Sequence, residues 1–146
     1  MTKDNNIYMK HTILLLIIII ISCSYDVSVT YNIEIDNKIY TWQYITDEKK
    51  HGKFDYWQTP EESLKDMSGD CEDFHILVAY LLYRDTGKKS EFIYCYDVEE
   101  NVFHILLKYE NKYINFTEIT SELDDKYVYI YIYSYNELMT HVYNQL

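Results

Sequence analysis

Ser68-Gly69-Asp70-Cys71-Glu72-Asp73-Phe74 is the stretch on which this chain turns, because it carries a cysteine out of a glycine turn and into the most apolar helical pattern of the sequence. Glycine tolerates the backbone angles of a sharp entry, and Asp70 is a favoured N-cap type. From Phe74 the apolar residues Leu77, Val78, Leu81 and Leu82 recur at helical spacing, and Gly87 is placed to end the helix. Cys71 therefore opens a helix, where the dipole favours a thiolate, whereas Glu72 and Asp73 beside it disfavour a second anion. A cationic partner is needed if the thiol is to be activated.

Working outward, the pattern is α+β in a single soluble domain. Alternating apolar residues over 27–35 and 39–45, around Asp36-Asn37-Lys38, predict a hairpin, and the charged stretch 46–55 with Gly52 predicts a loop. Thr59-Pro60-Glu61-Glu62 is a capping box with proline at the first helical position, opening a short helix that ends by Met67. After Gly87 the period changes to two, and 92–97, 102–109, 112–117 and 127–133 read as strands. Ser134-Tyr135-Asn136-Glu137 caps a last helix to about Asn144.

The N-terminus carries an address signal. Lys3, Lys10 and His11 precede an unbroken aliphatic run from Ile13 to Ile21, too short for a bilayer span of about 20 residues and suited to the core of a secretory leader of about 7–15. Ile20-Ile21-Ser22-Cys23 resembles a bacterial lipobox, which implies export, lipidation of Cys23 and anchoring at the cell envelope; Met9 is an alternative start. Residues 1–22 are thus read as signal peptide, and 23–54 as lipidated N-terminus, hairpin and loop.

The net charge of −11 argues against a nucleic-acid partner, which needs a basic stripe. It favours a neutral or basic partner. The 18 tyrosines reflect compositional bias and strand-rich structure, not a binding platform. Cys71 and Cys95 are the remaining cysteines, and in an oxidising envelope they could form a disulfide; alternatively Cys95, between Tyr94 and Tyr96, is a buried apolar thiol. No metal-ligand spacing and no phosphate-binding glycine loop is present, so no cofactor is expected.

His104 lies in the apolar strand Val102-Phe103-His104-Ile105-Leu106-Leu107. If Glu110-Asn111 is a two-residue hairpin turn, Leu106 pairs with Asn115, and Asn115 becomes the diagonal neighbour of His104 on the same face. A base that takes the thiol proton and a polar group that fixes the base are the two partners a nucleophilic cysteine requires. His75, one helical turn after Cys71, is a competing base or a core residue.

Asp55-Tyr56-Trp57-Gln58-Thr59-Pro60-Glu61-Glu62, the Gly69-to-Phe74 segment, the strand histidine and Tyr113-Ile114-Asn115 together resemble the bacterial transglutaminase-like cysteine peptidases. The resemblance implies a papain-like core over 55–146, a Cys-bearing helix packed on an antiparallel sheet. It also implies Cys71 as nucleophile, His104 as base and Asn115 as orienting group, although the third position is commonly Asp. Gln58 and Trp57 are candidate oxyanion donors beside the Cys71 backbone N–H. The function implied is a membrane-anchored cysteine peptidase or amidase acting on a peptide or isopeptide bond through a thioester. The competing reading is a catalytically silent lipoprotein that binds protein partners through the same fold. The substrate, and the choice of water or amine as acceptor, are not written in the sequence.

Overall fold

The computed structural model describes residues 29–35 and 37–145; Cys23, the aliphatic run and the start of the first expected strand at Val27 lie outside the described residues. Strands β1 (Thr30–Ile35) and β2 (Lys38–Tyr44) form the expected antiparallel hairpin. The stretch expected as a loop instead contains a short helix, α1 (Asp47–His51). Asp47 and Glu48 stand in its first turn, Lys49, Lys50 and His51 in its last, each sign matching the helix dipole, and Gly52 closes it at φ 65. Helix α2 (Pro60–Asp66) begins with the full capping box between Thr59 and Glu62.

Ser68–Gly69 is a two-residue strand, β3, paired in parallel with Gln43 and Tyr44 of β2. The turn that delivers the cysteine is therefore part of a three-stranded sheet, and its backbone is held by ladder bonds as well as by glycine's freedom. Helix α3 follows (Cys71–Thr86) and ends at Gly87, φ 71. Strands β4 (Glu91–Asp97), β5 (Val102–Tyr109), β6 (Lys112–Asn115), β7 (Glu118–Thr120) and β8 (Tyr127–Ser134) form an antiparallel sheet in the order β7-β6-β5-β4-β8. Helix α4 (Tyr135–Tyr143) opens on the second capping box, Ser134 with Glu137.

The sequence predicts one apolar stripe on the Cys71 helix, but every residue from Asp73 to Ala79 is buried. The hairpin supplies the extra cover. Trp42 meets Phe74 edge-on at 5.7 Å, and Tyr31 does the same at 6.1 Å, while Phe92, Ile105 and Leu107 of the sheet and Leu138 and Val142 of α4 join the same core. A helix wrapped on several sides is apolar around most of its circumference. Each fully buried large side chain there contributes about 1.5–3 kcal/mol by removing apolar surface from water. The other face of the sheet carries a smaller cluster of Ile93, Cys95 and Leu106.

Candidate active site

Cys71 stands at the N-terminus of α3 and lines a cleft of about 750 Å³ together with Asp70, Glu72, Trp57, Tyr94, Phe103, His104 and Tyr133. Both Cys71 and Cys95 are free thiols. Cys95 lies within the opposite-face cluster, so the disulfide alternative is removed, and burial pushes its thiol up to about 11.

The β5–β6 turn is the two-residue Glu110-Asn111 reversal, with Tyr109 opposite Lys112 and Leu107 opposite Ile114. The next pair in that register is Leu106 and Asn115, which makes Asn115 diagonal to His104. His104 Nε2 lies 2.9 Å from Asn115 Oδ1, and Asn115 Nδ2 donates to the Tyr127 hydroxyl at 3.0 Å. With the amide nitrogen committed to Tyr127, its oxygen faces the imidazole, so Nε2 carries the hydrogen and Nδ1 keeps a lone pair. β6 has already ended beside His104, and the ring occupies that gap, stacked on Tyr127 at 5.9 Å and edge-on to His75 at 6.1 Å. Burial lowers the His104 pKa, with the Asn115 bond working against it. The imidazole is neutral near pH 7.

The thiol is not in the state that a helix N-terminus alone implies. Cys71 Sγ donates to Glu72 Oε2 at 3.2 Å, and burial first, then the charges of Glu72 and Asp70, push the thiol well above its ordinary value. The resting site thus holds a protonated thiol and a neutral imidazole. Asp70, expected as N-cap, makes no side-chain cap bond. Its burial and the neighbouring Glu72 charge raise it to about 9, and burial raises Glu72 to about 7.

Asp47, absent from any sequence-level expectation, is brought by α1 against this pair. One carboxylate oxygen each from Asp47, Asp70 and Glu72 lie within 4.8 Å of one another. Asp47 is 3% exposed, and its Oδ1 and that of Asp70 are buried without a hydrogen-bond partner. Three residues with hard oxygen donors, two of which carry a carboxyl oxygen without a hydrogen-bond partner, suit a divalent cation such as calcium.

Gln58 does not serve as an oxyanion donor in this geometry. Its Nε2 donates to Ser68 O and to Asp73, its Oε1 accepts from Lys50 Nζ at 2.8 Å, and it lies fully buried behind the cleft wall. The reason is Asp73, a fully buried carboxyl group that takes the Gln58 backbone and side-chain N–H groups; its Oδ1 takes the backbone one at 2.7 Å. Trp57 does line the cleft, but its Nε1 donates to Asp55 at 2.7 Å, and its ring meets Tyr133 and His141 edge-on. The side-chain N–H groups of both expected oxyanion donors are thus engaged by Ser68, Asp73 and Asp55 in this geometry. The helical ladder of α3 begins with Phe74 N–H to Asp70 O, which leaves the Cys71 N–H ahead of it, while the Glu72 N–H bonds its own carboxyl.

His75 is fully buried, and burial first, then the nearby His104, lowers its pKa to about 3. Its Nδ1 lies 2.6 Å from Cys71 O, and its Nε2 accepts from Phe116 N–H at 3.3 Å. With both ring nitrogens engaged by backbone, it has no lone pair to offer a thiol.

A family model described as a transglutaminase-like domain matches residues 10–116. Two solved structures of LapG from Legionella pneumophila, one of them calcium-bound, share the fold of this chain with a TM-score of 0.52 at 24% identity, over 63% of this chain and 57% of LapG. The chain thus spans little more than half of LapG's length. No curated protein sequence matches it.

Proposed function

The chain belongs to the transglutaminase-like domain family, and we propose that it is a thiol acyl-transfer enzyme, a cysteine peptidase or amidase that opens a peptide or isopeptide bond through a thioester. The observation that carries this reading is the His104–Asn115 hydrogen bond beside Cys71 in one cleft, which leaves His104 Nδ1 as the free base. In the reaction, Nδ1 takes the Sγ proton and the sulfur attacks the amide carbonyl carbon. The tetrahedral oxyanion is held by backbone N–H of the first turn of α3. Collapse breaks the C–N bond, and His104 passes its proton to the leaving amine. Water or an amine then gives His104 a proton and attacks the thioester, returning the thiol. Asn115, being neutral, orients the ring and stabilises the imidazolium less than a carboxylate does.

A peptidyl acyloxymethyl ketone tests this directly. Incubated with the full chain, it should leave an adduct that peptide mass spectrometry places on Cys71 and not on Cys95. An adduct on neither thiol favours the second reading, a silent protein-binding lipoprotein, which the Cys71–Glu72 hydrogen bond supports.

The acid cluster of Asp47, Asp70 and Glu72 is proposed as a divalent-cation site, in keeping with its unsatisfied oxygens and with the calcium in one LapG structure. When bound, such a cation supplies positive charge that offsets Asp70 and Glu72 beside the thiol. The sign of the pH dependence follows from the carboxyls. Asp70, Glu72 and Asp73 stand at about 9, 7 and 8 in the fold, burial being the largest cause in each. Unfolded carboxyls titrate near 4, so from there up to about pH 9 the fold holds protons that the unfolded chain releases, and stability falls as pH rises. Without calcium, the thermal midpoint should drop by about 5–10 °C between pH 5 and pH 8.5. Millimolar calcium should restore most of that loss at pH 8.5, and Asp47→Asn should remove the calcium effect. An equal calcium response in Asp47→Asn would exclude the site.

Export and anchoring through Cys23 complete the proposal, which places the domain on the cell envelope. Cells fed an alkyne fatty acid should label the wild-type chain, whereas Cys23→Ala should lose the label. Labelling that persists in the variant removes the anchor.

A further inference from the structure

Phe116 is an aromatic residue at φ 51, a left-handed conformation that a bulky side chain adopts only when its surroundings hold it there. It terminates β6 immediately after Asn115 and reverses the chain into β7. Ring contacts with Tyr31, Tyr44, Phe74, His75 and His104 and a backbone bond to His75 hold it. Its ring stacks on Tyr31 at 4.3 Å, and its N–H donates to His75 Nε2 at 3.3 Å.

Because Phe116 supplies a donor, Nε2 is the acceptor and Nδ1 carries the hydrogen, which it donates to Cys71 O at 2.6 Å. A single neutral ring therefore ties the backbone of the thiol residue to the backbone of the residue that follows Asn115. The ring has no room to swing. It is fully buried, with Phe74 at 5.1 Å, Phe116 at 5.4 Å and His104 at 6.1 Å between ring centroids.

We propose that His75 is a positioning residue, a two-ended clamp that sets the Cys71 turn against the Asn115–His104 pair. The inference rests on the acyl-transfer reading for its consequence in catalysis, and on geometry for the clamp itself. The helix that bears the thiol and the hairpin that bears His104 and Asn115 come from distant parts of the chain. Their separation is set by what spans the gap, and a displacement of about 1 Å is enough to cost on the order of 100-fold in rate.

The test uses the full chain with His75→Leu, which fills the space without either hydrogen bond, and His75→Gln, whose amide offers one donor and one acceptor. In ¹⁵N-edited spectra the His104 Nε2–H resonance should be slowly exchanging in the wild type, and the Phe116 amide protected. Both should be lost in His75→Leu and retained in part in His75→Gln. With the peptidyl acyloxymethyl ketone, His75→Leu should lower the maximal inactivation rate by about tenfold or more at unchanged half-saturation, and His75→Gln should recover much of it. If His75→Leu keeps the His104 resonance and an inactivation rate within twofold of wild type, the clamp is excluded. It is also excluded if both variants lose rate and thermal stability together, since that is the behaviour of a packing residue. Wild-type chain that no probe labels at Cys71 would overturn the acyl-transfer reading alone, and the exchange measurements would still decide the clamp.

Discussion

His104→Ala is expected to lower the rate of Cys71 acylation by about 10³-fold, within the range of about 10²–10⁴ for loss of a positioned general base. The large effect follows from the resting state of the site. Burial and the acidic neighbours hold the thiol protonated, so no preformed thiolate waits for substrate, and the proton must pass to His104 Nδ1 as the sulfur attacks. Asn115→Ala should cost less, about one order of magnitude or two, because a neutral amide fixes the tautomer without a full counter-charge. Iodoacetamide provides a substrate-free comparison. Without a divalent cation, Cys71 should alkylate slowly at pH 7 and faster as pH rises past the ordinary thiol value of about 8.5. Calcium should move that profile down, by neutralising Asp70 and Glu72. Rapid alkylation at pH 6 in a calcium-free buffer, or a His104→Ala variant acylated at the wild-type rate, would contradict the site as drawn.

Gly69→Ala carries the largest expected effect on stability. A Cβ at this position would stand 2.6 Å from Gln58 Nε2 and 2.7 Å from Asp73 Cβ, and the backbone sits at φ 154, where side chains are rarely found. Neither neighbour can yield. Gln58 and Asp73 are fully buried and bonded to each other, and Gln58 is further bonded to Lys50 and Ser68. Overpacking and backbone strain together should cost about 3–5 kcal/mol, read as a lower denaturant midpoint at unchanged slope. Gly87→Ala is the control. It is also left-handed, at φ 71, but has open space around it, and about 1 kcal/mol is expected. Equal losses in the two variants would mean that the tight approach beneath Cys71 has no energetic weight.

The elements legible in the sequence are those whose causes lie within a few residues of one another. Thr59 with Glu62, Ser134 with Glu137, and Gly87 after an apolar run place helix ends through local hydrogen bonds and glycine's left-handed conformation, and all three stand where their spacing puts them. The β5–β6 register is local in the same sense. A two-residue turn at Glu110-Asn111 leaves one pairing, and that pairing carries Asn115 to His104.

What tertiary structure decided is where distant segments meet and how deeply each group is buried. Asp47 lies in a stretch that reads as a charged loop, and only the docking of α1 brings its carboxylate to Asp70 and Glu72. Gln58 has the residue type of an oxyanion donor, yet the buried Asp73 claims its amide. The protonated resting thiol has a related cause. The helix dipole that favours a thiolate and the charges of the neighbouring Asp70 and Glu72 that oppose it both act from sequence position, whereas the desolvation that is the largest cause of the raised thiol pKa arises only when the fold buries the first turn of α3.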